Sequence, residues 1–363
     1  MEKLELTSQF DGAYAGLDVL VTGHTGFKGS WLCAWLDALG ARVCGLALPP
    51  ETRPSHWELL SLTRVENHVV DLRDADAVRG VFARVRPRLV FHLAAQPLVR
   101  RSYREPVATY ATNVSGLVNL FEAARACGSV QAVVNATTDK VYRPLDPPRP
   151  FREDDPLGGH DPYSASKACA ELVSESYRES FLAAAGIRLA TARAGNVIGG
   201  GDWSEDRLVP DFVRAATAGE PLRLRRPDAV RPWQHVLEPL SGYLRLGQAL
   251  LAGETVEGAW NFGPSDDATI SVQALAGAFR DRWPGTTLAS DPGPHPHEAA
   301  QLRLDCGKAQ RHLGWRPVWS AANTVARTVA WYRAQAETGR LLTADDVARY
   351  SADARAAGLG WAR

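Results

Sequence analysis

The sequence has few cysteines, no excess of either charge and no long apolar run, and each absence excludes a class of protein. Its five cysteines are odd in number and form no CxxC pair, so neither a disulfide framework nor a zinc site is expected. Forty-one Lys and Arg residues balance forty-one Asp and Glu residues, which leaves no surplus positive charge for binding nucleic acid. No stretch approaches the ~20 apolar residues of a membrane span, and the start of the chain lacks the apolar core of a secretory signal. We therefore expect a cytoplasmic globular protein without a metal and without nucleic-acid or membrane partners.

The first half of the sequence alternates short apolar strands with longer helical stretches. The predicted strands are 17–21, 42–46, 68–71, 89–93, 132–136 and 188–192, and a long helix is predicted from residue 107 to 127. This alternation predicts a doubly wound α/β (Rossmann) fold, in which helices cover both faces of a parallel sheet. After about residue 195 glycine and proline become dense and the alternation loses its regularity. We predict a dinucleotide-binding domain of residues 1–195 and 236–264, and a smaller, irregular α/β substrate-binding region of residues 196–235 and 265–363.

Three glycines, Gly23, Gly26 and Gly29, lie between the first predicted strand and the first helix. Glycine at this turn lets the backbone approach a pyrophosphate, which the N-terminus of the helix attracts. The position of this GxxGxxG turn in an α/β domain predicts an adenine-dinucleotide site. The acid expected about twenty residues later, which would hold the ribose 2′-hydroxyl, is missing. Glu51 follows only after two prolines, and Arg53 is placed to meet a 2′-phosphate, so this loop leaves NAD and NADP both open.

Two further groups of residues predict proton-transfer chemistry. Tyr163 and Lys167 are four residues apart and share one face of a helix. An ammonium beside a phenol favours the phenolate, which can take a proton from a sugar hydroxyl as a hydride leaves its carbon. Thr138, Asp139 and Lys140 follow the fifth predicted strand, where open α/β sheets bind their ligands. There Thr138 can bond the same hydroxyl, and the next two residues supply an acid and an amine, unless they form only a solvated ion pair in a turn.

Together these residues resemble the extended short-chain dehydrogenase/reductases, and among them the nucleotide-sugar 4,6-dehydratases. The resemblance covers most of the chain and is carried by TGHTGFKGSWL (22–32), FHLAAQPLVRRSY (91–103), TTDKVY (137–142), DPYSASK (161–167), RAGNVIGGGDW (193–203), RPWQHVLEPLSGY (231–243) and NFGP (261–264). In the family members that act on dTDP-glucose, Asp-Glu follows the catalytic Ser or Thr. In those that act on CDP-glucose, Asp-Lys follows, as Asp139 and Lys140 do here.

The resemblance implies an NAD-dependent hydro-lyase that converts CDP-glucose to its 4-keto-6-deoxy product for deoxysugar and lipopolysaccharide (O-antigen) biosynthesis, acting as a homodimer. It implies that Tyr163 takes the 4-hydroxyl proton, that Lys140 takes the C5 proton and that Asp139 protonates the leaving 6-hydroxyl. Besides the glycines, Tyr163 and Lys167, the implied cofactor contacts are Thr25, Phe27, Asp71, Leu72, Leu93, Ala94 and Ala95. The implied substrate contacts are Gln96, Asn196, Trp203, Arg207, Arg231 and His297.

Several alternatives stay open on the sequence alone. One is an epimerase or a dehydratase of another nucleotide sugar, with a dTDP, UDP or GDP group. Another, from a different class, is a dinucleotide sensor that kept the fold without the catalysis. Asp71 is equally compatible with a helix-capping role, and Asn113 with helix packing. His24 and Lys28, between the glycines, either face solvent or serve the site, and Arg193 is expected to support the site without contacting the substrate.

Overall fold

A seven-stranded parallel sheet forms the centre of the structure, a computed structural model that describes residues 6–265, 268–291, 293 and 303–363. The strands in these residues are β1 (Asp18–Thr22), β2 (Arg42–Ala47), β3 (Glu66–Val69), β4 (Leu89–His92), β5 (Ala132–Ala136), β6 (Arg188–Ala194), β7 (Asn196–Ile198), β8 (Leu222–Leu224), β9 (Val230–His235), β10 (Gly258–Phe262), β11 (Thr269–Ser271) and β12 (Leu288–Ser290). Seven of them form one sheet in the order β10-β6-β5-β4-β1-β2-β3, and every neighbouring pair is parallel. The Rossmann architecture predicted from the sequence is confirmed.

Helices cover both faces of this sheet. The α-helices of the described residues are α1 (Phe27–Ala38), α2 (His56–Leu60), α3 (Ala75–Val85), α4 (Val99–Arg104), α5 (Pro106–Tyr110), α6 (Gly116–Cys127), α7 (Pro162–Tyr177), α8 (Leu208–Ala218), α9 (Leu237–Leu251), α10 (Val272–Arg282), α11 (Gly307–Leu313), α12 (Ala321–Thr338) and α13 (Thr343–Ala356). One face packs against α1 and α9, and the other packs against α3, α6 and α7. None of these helices, in the part of the chain that is described, is both long and apolar enough to cross a bilayer.

Two predicted elements differ from the structure for physical reasons. The third strand was expected at 68–71 but is Glu66–Val69, because it is the exposed edge of the sheet and its register with β2 is not marked by an apolar pattern. The helix expected from residue 107 to 127 is interrupted by a π-helical turn, Ala111–Ser115. The side chain of Asn113 in that turn bonds the backbone N–H of Gln96 (2.8 Å) and the hydroxyl of Ser166 (2.9 Å). The turn therefore aims a polar side chain at two other elements, a common use of single π turns.

The chain leaves the main sheet at Gly195, between β6 and β7. There β7 pairs in parallel with β9, which pairs antiparallel with β11, and β8 pairs with β12. After β9 the chain returns, since α9 packs on β5 and β10 pairs with β6. The C-terminal helix α13 contacts α1, so this part of the tail lies beside the glycine turn's helix rather than beside the small sheets. The division of the chain into domains stays a prediction.

One buried carboxylate, Glu238, joins the C-terminal segments to α9. Its oxygens accept hydrogen bonds from the backbone N–H groups of Val318 (3.0 Å) and Trp319 (2.7 Å) and from the hydroxyl of Tyr350 (2.6 Å). Glu238 is only 1% exposed. Burial raises the pKa of its carboxyl from 4.5 to about 7, although the three hydrogen bonds oppose that rise.

This shift predicts a stability that falls as the pH rises. Between pH 4.5 and about 7 the folded protein holds a proton on Glu238 that the unfolded chain has already lost, so deprotonation favours unfolding by up to ~3 kcal/mol. Glu238→Gln keeps an acceptor oxygen and stays neutral. We expect its free energy of unfolding, relative to the wild type, to increase from about pH 5 to about pH 8 in denaturant titrations. Glu337→Gln, at an exposed ion pair with Arg333, is the control and should show no such change.

Candidate active site

A cavity of about 1370 Å³ opens at the carboxyl ends of the central strands and extends to the small sheets. Its walls contain most of the residues singled out in the sequence: Gly23, Thr25, Gly26, Phe27, Gly29, Asp71, Leu72, Leu93, Ala94, Ala95, Thr138, Lys140, Tyr163, Lys167, Asn196, Trp203, Arg207 and Arg231. Asp139 and Gln96 are not among the lining residues. His297 lies outside the described residues. The structure thus gathers the predicted cofactor, catalytic and substrate residues around one space.

The glycine turn is packed so closely that side chains are excluded from it. Gly23 has φ +73°, and a Cβ there would lie 2.7 Å from the backbone of Ala94. A Cβ on Gly29 would lie 2.1 Å from the carbonyl oxygen of Gly23. Gly26, the N-cap of α1, offers no side chain to cap the helix. The N-terminus of α1 is therefore left open at the cavity wall, as a bound phosphate requires.

His24 is buried, contrary to the alternative that it faces solvent. Its Nε2 and the side-chain oxygen of Asn67 are 2.8 Å apart, and burial lowers the pKa of the imidazole to about 4. A Cβ on Gly45 would lie 2.2 Å from the His24 ring. His24 therefore packs as a neutral ring over β2 and fixes the turn against the neighbouring strand.

Four side chains form a connected cluster at the end of β5. The hydroxyl of Thr138 and the amine of Lys140 both donate to Oδ1 of Asp139, at 3.1 and 3.3 Å. Tyr163 belongs to this cluster: burial raises the pKa of its phenol, and hydrogen bonding with Thr138 is among the influences that oppose the rise. Asp139 is fully buried, and within the described residues its Oδ2 has no hydrogen-bond partner. The carboxyl thus lies behind Thr138 and Lys140, which face the cavity.

The charges around Tyr163 differ from the sequence expectation. Burial raises the pKa of its phenol, and the charge of Lys140 opposes that rise most, followed by the hydrogen bond with Thr138 and the charge of Arg207. The amine of Lys167 donates to the carbonyl oxygen of Ala136 at 2.9 Å, and burial lowers its pKa to about 8. Two lysines from different elements, rather than Lys167 alone, therefore bring positive charge to this end of the cavity.

The chain is similar to known proteins over most of its length. A family model described as GDP-mannose 4,6 dehydratase matches residues 20–328. The chain belongs to this family. It is 47% identical over 329 residues to a CDP-glucose 4,6-dehydratase of Salmonella typhimurium, across 88% of this chain and 92% of that relative.

Solved structures of related enzymes share the whole fold. A dTDP-glucose 4,6-dehydratase from Streptomyces venezuelae, solved with NAD bound, superposes with a TM-score of 0.74 and is 29% identical, covering 87% of this chain and 96% of that one. A UDP-glucose 4-epimerase from Thermus thermophilus, solved in complex with NAD, has a TM-score of 0.76 and 28% identity, covering 87% and 98%. The family therefore includes both dehydratases and epimerases on one scaffold.

Three of the predicted substrate residues bring charge and aromatic surface to the cavity wall. Arg207 is paired with Asp202 at 3.0 Å and lies close enough to Tyr163 to influence the pKa of the phenol. Arg231, on β9, is mostly buried and lines the cavity. Trp203 lines the same wall and packs on Trp331.

Gln96, by contrast, is turned away from the cavity. Its side chain bonds both backbone groups of Leu98 and the hydroxyl of Thr109. It therefore holds the loop after β4 in place, which fits support of the site better than the contact with the substrate that the resemblance implied.

Lysine is scarce in this chain, and the few lysines that it has indicate where the site lies. The sequence contains five lysines, and three of them, Lys28, Lys140 and Lys167, line the same cavity. The amine of Lys28 lies 3.5 Å from the hydroxyl of Tyr243. Burial, followed by the charges of Arg207 and Lys167, lowers its pKa to about 7. Cations gathered at this density favour a ligand with several negative charges.

The tight packing of the glycine turn predicts the effect of one added methyl group. Gly29→Ala places Cβ against the carbonyl of Gly23, where backbone must move, so the turn should open and its affinity for a dinucleotide should fall about tenfold or more. Isothermal titration with NAD measures this loss. Gly80→Ala is the matched control, because its Cβ meets nothing within 4 Å in the exposed face of α3. It should keep the affinity and raise the melting temperature.

Proposed function

We propose that the protein is a CDP-glucose 4,6-dehydratase that oxidises, dehydrates and reduces one sugar without net redox change. The observation that carries this proposal is the Thr138-Asp139-Lys140 cluster beside Tyr163, in a chain 47% identical to a CDP-glucose 4,6-dehydratase. The acid–amine pair is the feature that sets this chain apart from dehydratases with two acids at those positions.

The residues present fit NAD, which we propose as the cofactor. The side-chain-free turn at Gly23 and Gly29 and the uncapped end of α1 suit a pyrophosphate, and Leu93, Ala94 and Ala95 offer an apolar wall. NAD is bound in two of the related structures. When bound, it supplies the acceptor for the C4 hydride and returns that hydride to C6.

Tyr163 is placed to start the reaction as a base for the 4-hydroxyl proton. Its phenolate is favoured by the charge of Lys140 and by the hydrogen bond with Thr138. Lys167, held by the carbonyl of Ala136, adds its charge from the same helix face. Thr138 can then bond the oxygen from which Tyr163 has taken the proton.

Elimination needs a base at C5 and an acid at the 6-hydroxyl, and Lys140 with Asp139 supplies both. The C4 ketone acidifies C5–H, whose proton passes to the free amine of Lys140. The C5–C6 double bond forms as the C6–O bond breaks, and the 6-hydroxyl leaves as water with a proton from Asp139. Because that carboxyl lies behind Lys140 and Thr138, we propose that its proton travels through one of these two donors. Because Asp139 holds the proton at the outset of the elimination, the Lys140 amine is free to act as base, and Lys140 returns a proton to C5 when the hydride reaches C6.

The remaining wall suits the nucleoside diphosphate. Arg207 and Arg231 offer planar guanidinium groups that pair with phosphate oxygens, and Asn196, on β7, lines the same cavity. Trp203 offers an aromatic face at the same end. His297 stays a prediction, because it lies outside the described residues.

A substrate panel tests the proposed function. The protein is incubated with NAD and with the CDP, dTDP, UDP and GDP derivatives of glucose, and the products are identified by mass and by NMR. We expect CDP-glucose to lose one water and to give a 4-keto-6-deoxy sugar. Faster dehydration of another nucleotide, or inversion at C4 without loss of water, would refute the assignment in favour of a related dehydratase or epimerase. Binding of NAD without turnover of any sugar would point to the sensor.

Substitution of Lys140 separates the C5 base from the first step. Lys140→Arg keeps the positive charge near Tyr163 but cannot accept a proton, so C4 oxidation should proceed and elimination should slow by ~10²–10⁴-fold. Single-turnover absorbance should show reduced nicotinamide accumulating. In D₂O, deuterium should appear at C5 of the sugar only as slowly as the product forms.

Tyr163→Phe is the comparison variant and should produce neither reduced nicotinamide nor product while still binding NAD. Dehydration by Lys140→Arg at more than about a tenth of the wild-type rate would show that another group takes the C5 proton.

We also propose a homodimer built on the exposed side of α5 and α7. These helices pack together, and large apolar side chains remain exposed on and beside them: Tyr103, Val107, Tyr110, Leu172 and Phe181. Val107 is 82% exposed, which is unfavourable in a monomer. In the family that the sequence resembles, such a pair of helices forms a four-helix bundle between subunits.

Light scattering at micromolar concentration should give the mass of two chains. Leu172→Glu should shift that mass towards one chain, because it adds charge to the proposed interface. Val69→Glu, on the edge strand β3 and similarly exposed, is the control and should leave the mass unchanged. A wild-type monomer would refute the dimer.

The cellular role follows from the same proposal. We expect a cytoplasmic enzyme, and the described residues form no disulfide, as a reducing compartment favours. Its 4-keto-6-deoxy product has a reactive ketone, so enzymes of deoxysugar and lipopolysaccharide assembly would be expected to consume it.

A further inference from the structure

Glu171 is a buried carboxylate outside the main cavity, one helical turn after Lys167. It is 5% exposed. Its oxygens accept hydrogen bonds from the hydroxyls of Thr137 and Thr191 (2.7 Å for Thr191) and from two nitrogens of Arg193, both at 3.0 Å. Four donors from three side chains thus converge on one carboxylate, which is the arrangement that a buried charge requires.

These partners connect the two elements that carry the catalytic cluster. Thr137 directly precedes Thr138 at the end of β5, and Arg193 lies on β6, whereas Glu171 itself lies on α7 with Tyr163. Arg193 extends the connection, since it also donates to the hydroxyl of Tyr142, just after the β5 loop, at 2.8 Å. The position of the loop relative to the helix is therefore set on the side away from the substrate.

We propose that Glu171 is a positioning residue that fixes Thr138 and Lys140 against Tyr163 and places a negative charge one helical turn from Lys167. The proposal rests on the proposed catalytic roles of these four residues. Glu171 touches neither substrate nor cofactor, because it lines a separate cavity of about 440 Å³ behind β6. It acts through Thr137 by contact and on Lys167 by charge.

The surroundings of Lys167 show why one negative charge matters there. Among the described residues, the pKa values of His92 on β4 and Lys28 on α1 are lowered by burial and by the charge of Lys167. The pKa of His92 is about 3, so that ring is neutral, and Lys28 offers no negative charge to Lys167. Glu171 raises the pKa of Lys167 against burial. Without it the ammonium would be lost at a lower pH.

Glu171→Gln tests both parts of the proposal, since it keeps the shape and removes the charge. We expect kcat to fall about tenfold or more with little change in KM, as displaced catalytic groups give. The alkaline limb of the kcat profile should move to lower pH by about one unit, because Lys167 loses its proton earlier. Glu171→Asp should restore part of that shift. Thr137→Val removes the contact alone and should lower kcat without moving the limb.

Glu175→Gln, one turn further along α7 and exposed, is the matched control and should change neither quantity. Circular dichroism checks that each variant folds, because Arg193 loses its counter-ion in Glu171→Gln. A readout independent of turnover is available, since five lysines give a simple NMR spectrum when their ε-carbons are labelled with ¹³C.

The resonance that is missing from the spectrum of Lys167→Arg is the resonance of Lys167. The titration of this resonance should shift to lower pH in Glu171→Gln. If the substrate panel shows a different sugar nucleotide, the kinetics are run with that substrate, so failure of the assignment does not decide this test. A folded Glu171→Gln with a wild-type lysine titration and wild-type kcat would overturn the proposal.

Discussion

The structure depends on the burial of positive charge at the end of the central sheet. Lys28, Lys140, Lys167 and Arg207 line one cavity, where burial disfavours the charged forms of Lys28 and Lys167. The lowered pKa values of Lys28 and Lys167 are the direct consequence. The cofactor and the substrate each carry one diphosphate, and together these two groups would neutralise this charge. The proposed ligands therefore stabilise the folded site as well as occupying it.

The same requirement explains where the acids are. Asp139 and Glu171 are almost fully buried. Asp139 accepts from Thr138 and Lys140, whereas Glu171 accepts from Arg193 and from two threonine hydroxyls. Asp139 lies directly behind the cavity wall, whereas Glu171 lies on the far side of β5 and β6. Gly195 belongs to this arrangement, since a Cβ there would lie 3.0 Å from Oδ2 of Asp139. The point at which the chain leaves the main sheet is thus also the point that makes room for the proposed acid.

Much of this could be predicted from the sequence, because the strands in the centre of the sheet are continuous apolar runs and the glycine turn follows the first of them. The edge strand β3 begins two residues before its predicted position. Its position is set by pairing with β2 and not by burial, which an apolar pattern would have shown. Local pattern also gives no access to contacts between distant segments. That is why Gln96 was expected at the substrate, although Asn113 and Thr109 hold it in the loop. Local pattern likewise cannot decide whether Lys28 faces solvent, since its amine contacts Tyr243 from another helix.

The two residues that follow Thr138, Asp139 and Lys140, relate the fold to the proposed chemistry. A carboxylate base at position 140, as in the dTDP-glucose enzymes that the sequence resembles, would be ready for use but would add negative charge next to the phenolate of Tyr163. Lys140 has the opposite effect, since its charge favours that phenolate. In the proposed reaction, Lys140 would become a base only after its proton has moved, and Asp139 is an acceptor within hydrogen-bond distance. The ammonium would then assist oxidation first, and the free amine would assist elimination afterwards. Oδ2 of Asp139, which is buried and has no hydrogen-bond partner within the described residues, could hold the transferred proton.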